Sequence, residues 1–137
     1  MASGIYDRLK YNLMKKVVDL SADTIKVILL TSSHSFNATH NVLTDVSSNE
    51  ITGTGYTANG TTLTSLAVTQ DGTNHWAKWA ADNAVWSSAT FSAAFAVIYD
   101  STATSNLIAC IDFGGTKTVS GGTFTIQWAG GGIIQLA

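Results

Sequence analysis

The clearest pattern along the chain is an alternation of apolar and polar or small residues in its last third. Over residues 91–100 the alternation has a period of two, which is typical of a β-strand. Residues 107–113 repeat it after the polar residues 101–106, so the two segments are predicted to form a hairpin. Asp100 is then the turn former. Cys110, inside the second strand, is predicted to be a small packed side chain.

Further β-type segments precede and follow this hairpin. Residues 24–30 (TIKVILL) end in apolar residues on both sides, which favours a central strand. Residues 123–128 alternate again, with Trp128 predicted on the core face. Residues 31–59, directly after the first of these segments, are rich in Ser, Thr and Asn and form a long connection. Within it, residues 41–46 fit either a helical turn or an edge segment. Roughly seven or eight segments predict a mainly β fold, an antiparallel β-sandwich or barrel.

The N-terminal region follows a different period. Over residues 5–18 apolar side chains recur four residues apart and charged residues occupy the other faces, which predicts an amphipathic helix of about four turns. Ser3 is the predicted N-cap, and Lys15 and Lys16 fall in the predicted last turn, where cations complement the helix dipole. The spaced apolar residues are Ile5, Leu9, Leu13 and Val17.

Length and composition limit the chain to a single folded unit. With 137 residues it is the size of one domain, divided here into a helix at residues 1–20 and a β domain at residues 21–137. Hydrophobic residues make up 45% and charged residues 12%, which excludes general disorder. Ser and Thr together number 33, and Thr is favoured in strands, which agrees with the β prediction.

Charge and hydropathy exclude several classes of partner. The formal net charge is −2, so no overall positive field favours a nucleic acid. No apolar run is long enough for a membrane span, and the N-terminus lacks a signal-peptide pattern, so neither a membrane nor secretion is expected. The one cysteine cannot form an internal disulfide, which favours synthesis in the cytosol.

The residues that usually carry catalysis do not form a recognisable pattern. His34, His40 and His75 lie in no metal-ligand motif, and His34 and His40 are predicted to be solvated in a polar loop. No nucleophile-elbow pattern is present. Asp100 and Asp112 could face each other across the hairpin, but they are better interpreted as a turn former and an outward-facing residue. We therefore expect no catalytic residue, no cofactor and no metal, and thus no enzyme.

Two sets of residues are candidates for contact with a partner. The charges of residues 1–26 sum to +2 and those of the remainder to −4, so the basic helix could dock on a complementary surface, although such a face is more often simply solvated. An aromatic platform for a sugar or a protein could form from Tyr56 together with Trp76, Trp79, Trp86 and Trp128. The candidates for partner binding are Arg8, Lys10, Lys15, Lys16, Trp76 and Trp79.

Several stretches together resemble a known family. They are residues 6–10 (YDRLK), 13–16 (LMKK), 24–30 (TIKVILL), 53–57 (GTGYT), 96–100 (AVIYD) and 111–114 (IDFG). In combination they resemble small structural proteins of tailed-bacteriophage virions, including head decoration proteins. These stretches are spread over nearly the whole chain, and they are structural motifs rather than catalytic signatures.

The resemblance implies a capsid decoration or cement protein, made in the host bacterial cytoplasm and found in the virion. It implies a homo-oligomer such as a trimer, present in many copies, whose partners are the major capsid protein or other virion subunits. The predicted helix, or the loop at residues 32–59, would then touch the shell. A neck, tail or fibre component is the first alternative, and a glycan-binding attachment module that uses Trp76, Trp79 and Tyr56 is the second.

Overall fold

The mainly β prediction is confirmed by a computed structural model, which describes residues 3–137 and shows antiparallel sheets arranged as a β-sandwich with one short N-terminal helix. A five-stranded sheet has the order β1-β7-β6-β2-β3, and a three-stranded sheet has the order β4-β5-β8. The elements are β1 (Gly4–Ile5), α1 (Asp7–Met14), β2 (Ile25–Leu30), β3 (Thr61–Thr62), β4 (Ala67–Asp71), β5 (Trp76–Ala80), β6 (Ala84–Asp100), β7 (Asn106–Ile126) and β8 (Ile134–Leu136).

The predicted hairpin is the β6–β7 pair, the longest strands of the fold. Asp100 forms its turn as expected, because its Oδ1 accepts hydrogen bonds from the backbone N–H groups of Thr102 (2.9 Å) and Ala103 (3.0 Å). Asp112 lies opposite Phe95 in the register, five positions along β6 from Asp100. The hairpin therefore does not set the two carboxylates against each other.

A β-bulge divides this hairpin into two halves. The register skips between Ala93 and Phe95, where β7 carries residues 113–116 opposite the single Ala94. A skip of this kind exchanges the faces of the strand, so Phe91 and Ala93 belong to one core cluster and Phe95 to the other. The alternation along residues 91–100 therefore does not mark a single buried face, although the predicted strand itself is confirmed.

Strand β2 and the second half of β6, residues 93–100, are covered on both faces. On one face, α1 and the three-stranded sheet cover a core that includes Leu9, Trp79 and Ile98. On the other, the connection at residues 31–60 covers a core that includes Leu30 and Val46. The irregular connection thus serves as a structural cover.

The N-terminal segment begins as a strand, because Gly4 and Ile5 pair with Cys110 and Ala109 of β7. The hydroxyl of Ser3 accepts a hydrogen bond from the backbone N–H of Asp112 (2.9 Å), so the predicted N-cap role is wrong. The helix begins only at Asp7. No helix in the described part of the chain is both long and apolar enough to cross a membrane.

The helix also ends earlier than predicted, after eight residues. The N–H of Val17 donates to the carbonyl oxygen of Asn12 (2.9 Å), and the N–H of Lys16 donates to that of Leu13 (3.3 Å). This pair of bonds is the Schellman motif, which places Lys16 in the left-handed region with φ of 58°. Glycine usually occupies this position, so the spacing of apolar residues does not reveal where the helix ends, and the predicted helix at residues 5–18 is too long.

A buried amide joins the helix to the hairpin turn. Asn106 Oδ1 accepts a hydrogen bond from Arg8 Nε and another from Asn12 Nδ2, each 2.8 Å long. Asn12 and Asn106 are both buried, so neither amide has water as a substitute partner. This network fixes α1 against the start of β7.

The second half of β7 forms an open edge. Among the described residues, β1 pairs with β7 only at Ala109 and Cys110, and no strand pairs with the outer side of residues 113–126. Two glycine pairs interrupt this edge, with positive φ at Gly114 (76°) and Gly121 (62°).

We predict that Asn106→Ala lowers the free energy of unfolding by about 1–3 kcal/mol, because it leaves the buried amide of Asn12 without an acceptor. Urea denaturation followed by circular dichroism measures the change. Asn83→Ala, at an exposed position between strands, is the control and should change stability by less than about 0.5 kcal/mol. Equal effects of the two substitutions would contradict the structural role of Asn106.

Candidate functional site

Exposed apolar side chains are concentrated on one side of the fold. Among the described residues, six of the seven large exposed ones lie on α1, on Val17 just after it, or on the edge strands β4 and β8. Four of the six, Leu13, Val17, Val68 and Leu136, line a single groove. Large exposed apolar patches usually mark interaction sites, so this groove is the candidate functional site.

The groove lies between α1, residues 16–23 and the inner face of the three-stranded sheet, and its volume is about 750 Å³. The register of the small sheet pairs Trp79 with Val68 on one side and with Ile134 on the other, so the three side chains share a face. Trp79 is only 2% exposed and forms part of the floor together with Leu9.

The early end of the helix explains why the groove is open. Leu13 and Val17 belong to the apolar stripe that the sequence places on a buried helix face, but they are 40% and 49% exposed. Because the chain turns away at Lys16, this stripe does not continue over the small sheet. Two apolar side chains of the amphipathic stripe therefore form a wall of the groove.

The side chains of Lys10, Lys16, Asp19 and Asp23 also line the groove, and a third lysine, Lys78, borders it with a side chain on the face of β5 opposite to that of Trp79. Lys10 Nζ is 3.5 Å from Asp7 Oδ1, and both side chains are exposed, so this pair contributes little to stability. The carboxylates are held in a tight turn, where Asp19 Oδ1 accepts from the N–H of Ser21 and Asp23 Oδ2 accepts from the N–H of Asp19. The lining therefore carries equal numbers of fixed positive and negative groups.

The structure separates the predicted cationic binding residues. Lys10 and Lys16 line the groove, whereas Lys15 is exposed at the C-cap of α1 and does not. Arg8 is held inside the network around Asn106, and its guanidinium carbon lies 5.4 Å from the centroid of the Tyr11 ring. The four basic residues therefore do not form one surface.

The predicted aromatic binding residues are also separated. Trp76 and Trp79 lie three residues apart on β5, which puts them on opposite faces of the strand. Trp79 is buried and its Nε1 donates to the carbonyl oxygen of Leu20 (2.8 Å), so it forms part of the floor of the groove and no exposed aromatic surface. Trp76 is half-buried, and its Nε1 donates to Asp71 Oδ2 (2.9 Å). Trp128, which was predicted to lie on the core face, is half-buried and packs against the core cluster that contains Trp79.

Tyr56, the third member of the aromatic platform considered above, is occupied elsewhere. Its hydroxyl donates to Glu50 Oε2 (2.6 Å) and accepts from the backbone N–H of Leu29 (3.1 Å). Its ring stacks on Trp86 at 6.4 Å between centroids, and burial raises the pKa of the phenol. The platform of Trp76, Trp79 and Tyr56 is therefore not formed.

A cysteine and a histidine meet in the second core. His34 is buried, contrary to the prediction of a solvated loop residue, and its Nε2 lies 3.8 Å from Cys110 Sγ. Burial raises the pKa of the Cys110 thiol to about 12 and lowers the pKa of His34. The pair is thus a neutral thiol beside a neutral imidazole, and Cys110 is a packed side chain as predicted. Across residues 3–137 no three His, Cys, Asp or Glu side chains are grouped to hold a metal ion.

Behind the groove, Asp23 also approaches the hairpin turn. Asp100 is fully buried, and its Oδ2 has no hydrogen-bond partner within the described chain. Burial, and secondarily the neighbouring carboxyl of Asp23, raises the pKa of Asp100 to about 7. Asp100 is therefore protonated in the folded protein below neutral pH.

We predict a pH-dependent stability difference between the wild type and Asp100→Asn. Because the folded pKa of about 7 exceeds the unfolded value of about 3.9, the protonated form stabilises the fold at low pH, and this contribution is lost as pH rises between these values. The advantage of the wild type should fall over this window and stay constant above it. Asparagine keeps the Oδ1 acceptor of the turn, so the comparison isolates the ionisable oxygen.

Urea denaturation of both proteins across this pH range measures the effect. His34 contributes equally to both proteins, so its titration cancels in the difference. A stability difference that does not vary with pH would contradict the raised pKa of Asp100.

The two tryptophans of β5 provide a second prediction. Trp79→Ala should destabilise the fold by about 3–5 kcal/mol, because it removes a large buried side chain. Trp76→Ala, on the opposite face of the same strand, should cost far less. Thermal unfolding measures both variants, and a larger loss for Trp76→Ala would contradict the assignment of Trp79 to the core.

Comparison with models of known protein families, with curated proteins and with solved structures found no match to this chain. The function is therefore inferred from the chain's own residues and from the geometry of the groove.

Proposed function

We propose that this chain is a non-catalytic structural protein of a tailed-bacteriophage virion, which decorates or cements the capsid shell. The open apolar groove between α1 and the three-stranded sheet is the observation that carries the proposal, because it is a surface suited to assembly with another protein.

The stretches that carry the family resemblance support the proposal through their positions in the fold. Residues 24–30 contain β2, residues 96–100 end β6, and residues 111–114 lie in β7 at the bulge. Residues 6–10 begin α1, and residues 53–57 contact β6 through the bridge between Thr54 and Thr90. Most of these stretches lie in the scaffold around β6, whereas residues 13–16 lie at the exposed end of α1 beside the groove.

A neck, tail or fibre component remains the alternative within the same particle, since a small β-sandwich with an apolar assembly surface suits either place. Copy number separates the two locations. The glycan-binding alternative loses its aromatic platform, because Trp79 is buried and the hydroxyl of Tyr56 is bound to Glu50.

The experiment is quantitative mass spectrometry of phage particles purified from the bacterial culture in which this protein is made. Isotope-labelled peptides of the chain are measured against peptides of the most abundant shell protein. We expect the chain at a copy number comparable to that of the shell protein, because a decoration protein occupies repeated sites on the lattice.

A handful to a few dozen copies would instead place the chain in the neck, tail or fibres and overturn the decoration proposal. Absence of the chain from particles whose shell protein is detected in full would overturn the virion proposal altogether.

A further inference from the structure

We propose that the groove binds a second copy of this chain, in a two-fold arrangement that places α1 of each copy against the groove of the other. The groove and the exposed end of α1 lie side by side on one surface, which is the requirement for reciprocal contact between identical subunits. This dimer is a property of the isolated protein and stands independently of the virion role.

The apolar surface extends beyond the groove itself. Met14 is 90% exposed at the end of α1, about 100° around the helix from Leu13, which lines the groove. Leu136, on the opposite wall, is 69% exposed. A small apolar ligand in the groove would leave Met14 in water, whereas a second protein surface can cover both side chains.

Charge supports a second copy as the occupant. The lining contains the cations of Lys10 and Lys16 and the carboxylates of Asp19 and Asp23. A surface with equal numbers of positive and negative side chains does not repel a second copy of itself. A two-fold rotation can place the lysines of one subunit opposite the aspartates of the other. A strongly acidic or basic partner would meet like charges on part of the same surface.

Substitutions of neighbouring lysines should therefore differ in their effect on dimerisation. Lys16 lines the groove, whereas Lys15 does not. The side chain of Lys78, although its residue borders the groove, points to the other face of the small sheet, where Nζ lies 3.5 Å from the carbonyl oxygen of Gly130. Lys10 and Lys16 are thus the cations available at this interface.

The test is sedimentation equilibrium of the full chain over a concentration series up to roughly 0.1 mM, with a dissociation constant in the micromolar range expected. Met14→Glu and Leu136→Glu should each weaken dimerisation at least tenfold, because they place a carboxylate in the apolar contact. Both positions are exposed, so circular dichroism should show both variants folded.

The matched control is Val85→Glu on β6. Val85 is 47% exposed and is the large exposed apolar residue that lies away from the groove, so its substitution should leave the dimer unchanged. For charge, Lys16→Glu should weaken the dimer, and Lys15→Glu should not. The difference between these two variants should shrink as salt screens the charges.

A chain that stays monomeric throughout the concentration series would overturn the proposal, and so would a species larger than a dimer. A dimer weakened equally by Val85→Glu and Leu136→Glu would place the interface elsewhere. Dodecanoate is the probe for a small-molecule site, with tryptophan fluorescence as the readout. If the chain is monomeric and dodecanoate quenches its fluorescence saturably, and if Leu136→Glu abolishes this quenching, the groove binds an apolar ligand instead. Each measurement uses isolated protein, so its failure is distinct from absence of the chain from particles.

Discussion

Burial of β2 and of residues 93–100 of β6 on both faces is the constraint on which the rest of the structure depends. A strand with apolar side chains on both sides needs two separate covers, because each face must be removed from water. The chain supplies one cover from the irregular residues 31–60 and the other from α1 and the small sheet. The connection that looks like a loop in the sequence is therefore as necessary to the fold as any strand.

The second cover is incomplete, and the groove is the result. A helix of eight residues cannot close the inner face of a three-stranded sheet, so apolar side chains from opposite ends of the chain, such as Leu13 and Leu136, remain in contact with water. The free energy that a longer helix would have gained within one molecule is left available for association with another.

The sequence predicted the strands better than the surfaces. Strict alternation identified the β6–β7 hairpin, and the Asp100 turn followed from ordinary turn chemistry. The exchange of faces at Ala94 could not be predicted, because its cause lies in the extra residues of the partner strand. Lys16 concealed the helix end by occupying a position where glycine is usual. The groove was missed because Leu13 and Leu136, on its opposite walls, are more than 100 residues apart along the chain. The opposite orientations of Trp76 and Trp79, in contrast, follow from strand geometry once β5 is recognised.

The open edge of β7 affects behaviour at high concentration. Unpaired backbone groups on a straight edge strand are a template for uncontrolled growth into extended intermolecular sheets. In β7 the glycine pairs divide the free edge into two short regular pieces, residues 117–120 and 124–126, and Lys117 adds a charge to the first. Pieces so short give little registered pairing to an incoming strand, which lowers the tendency of the chain to form fibres at high concentration.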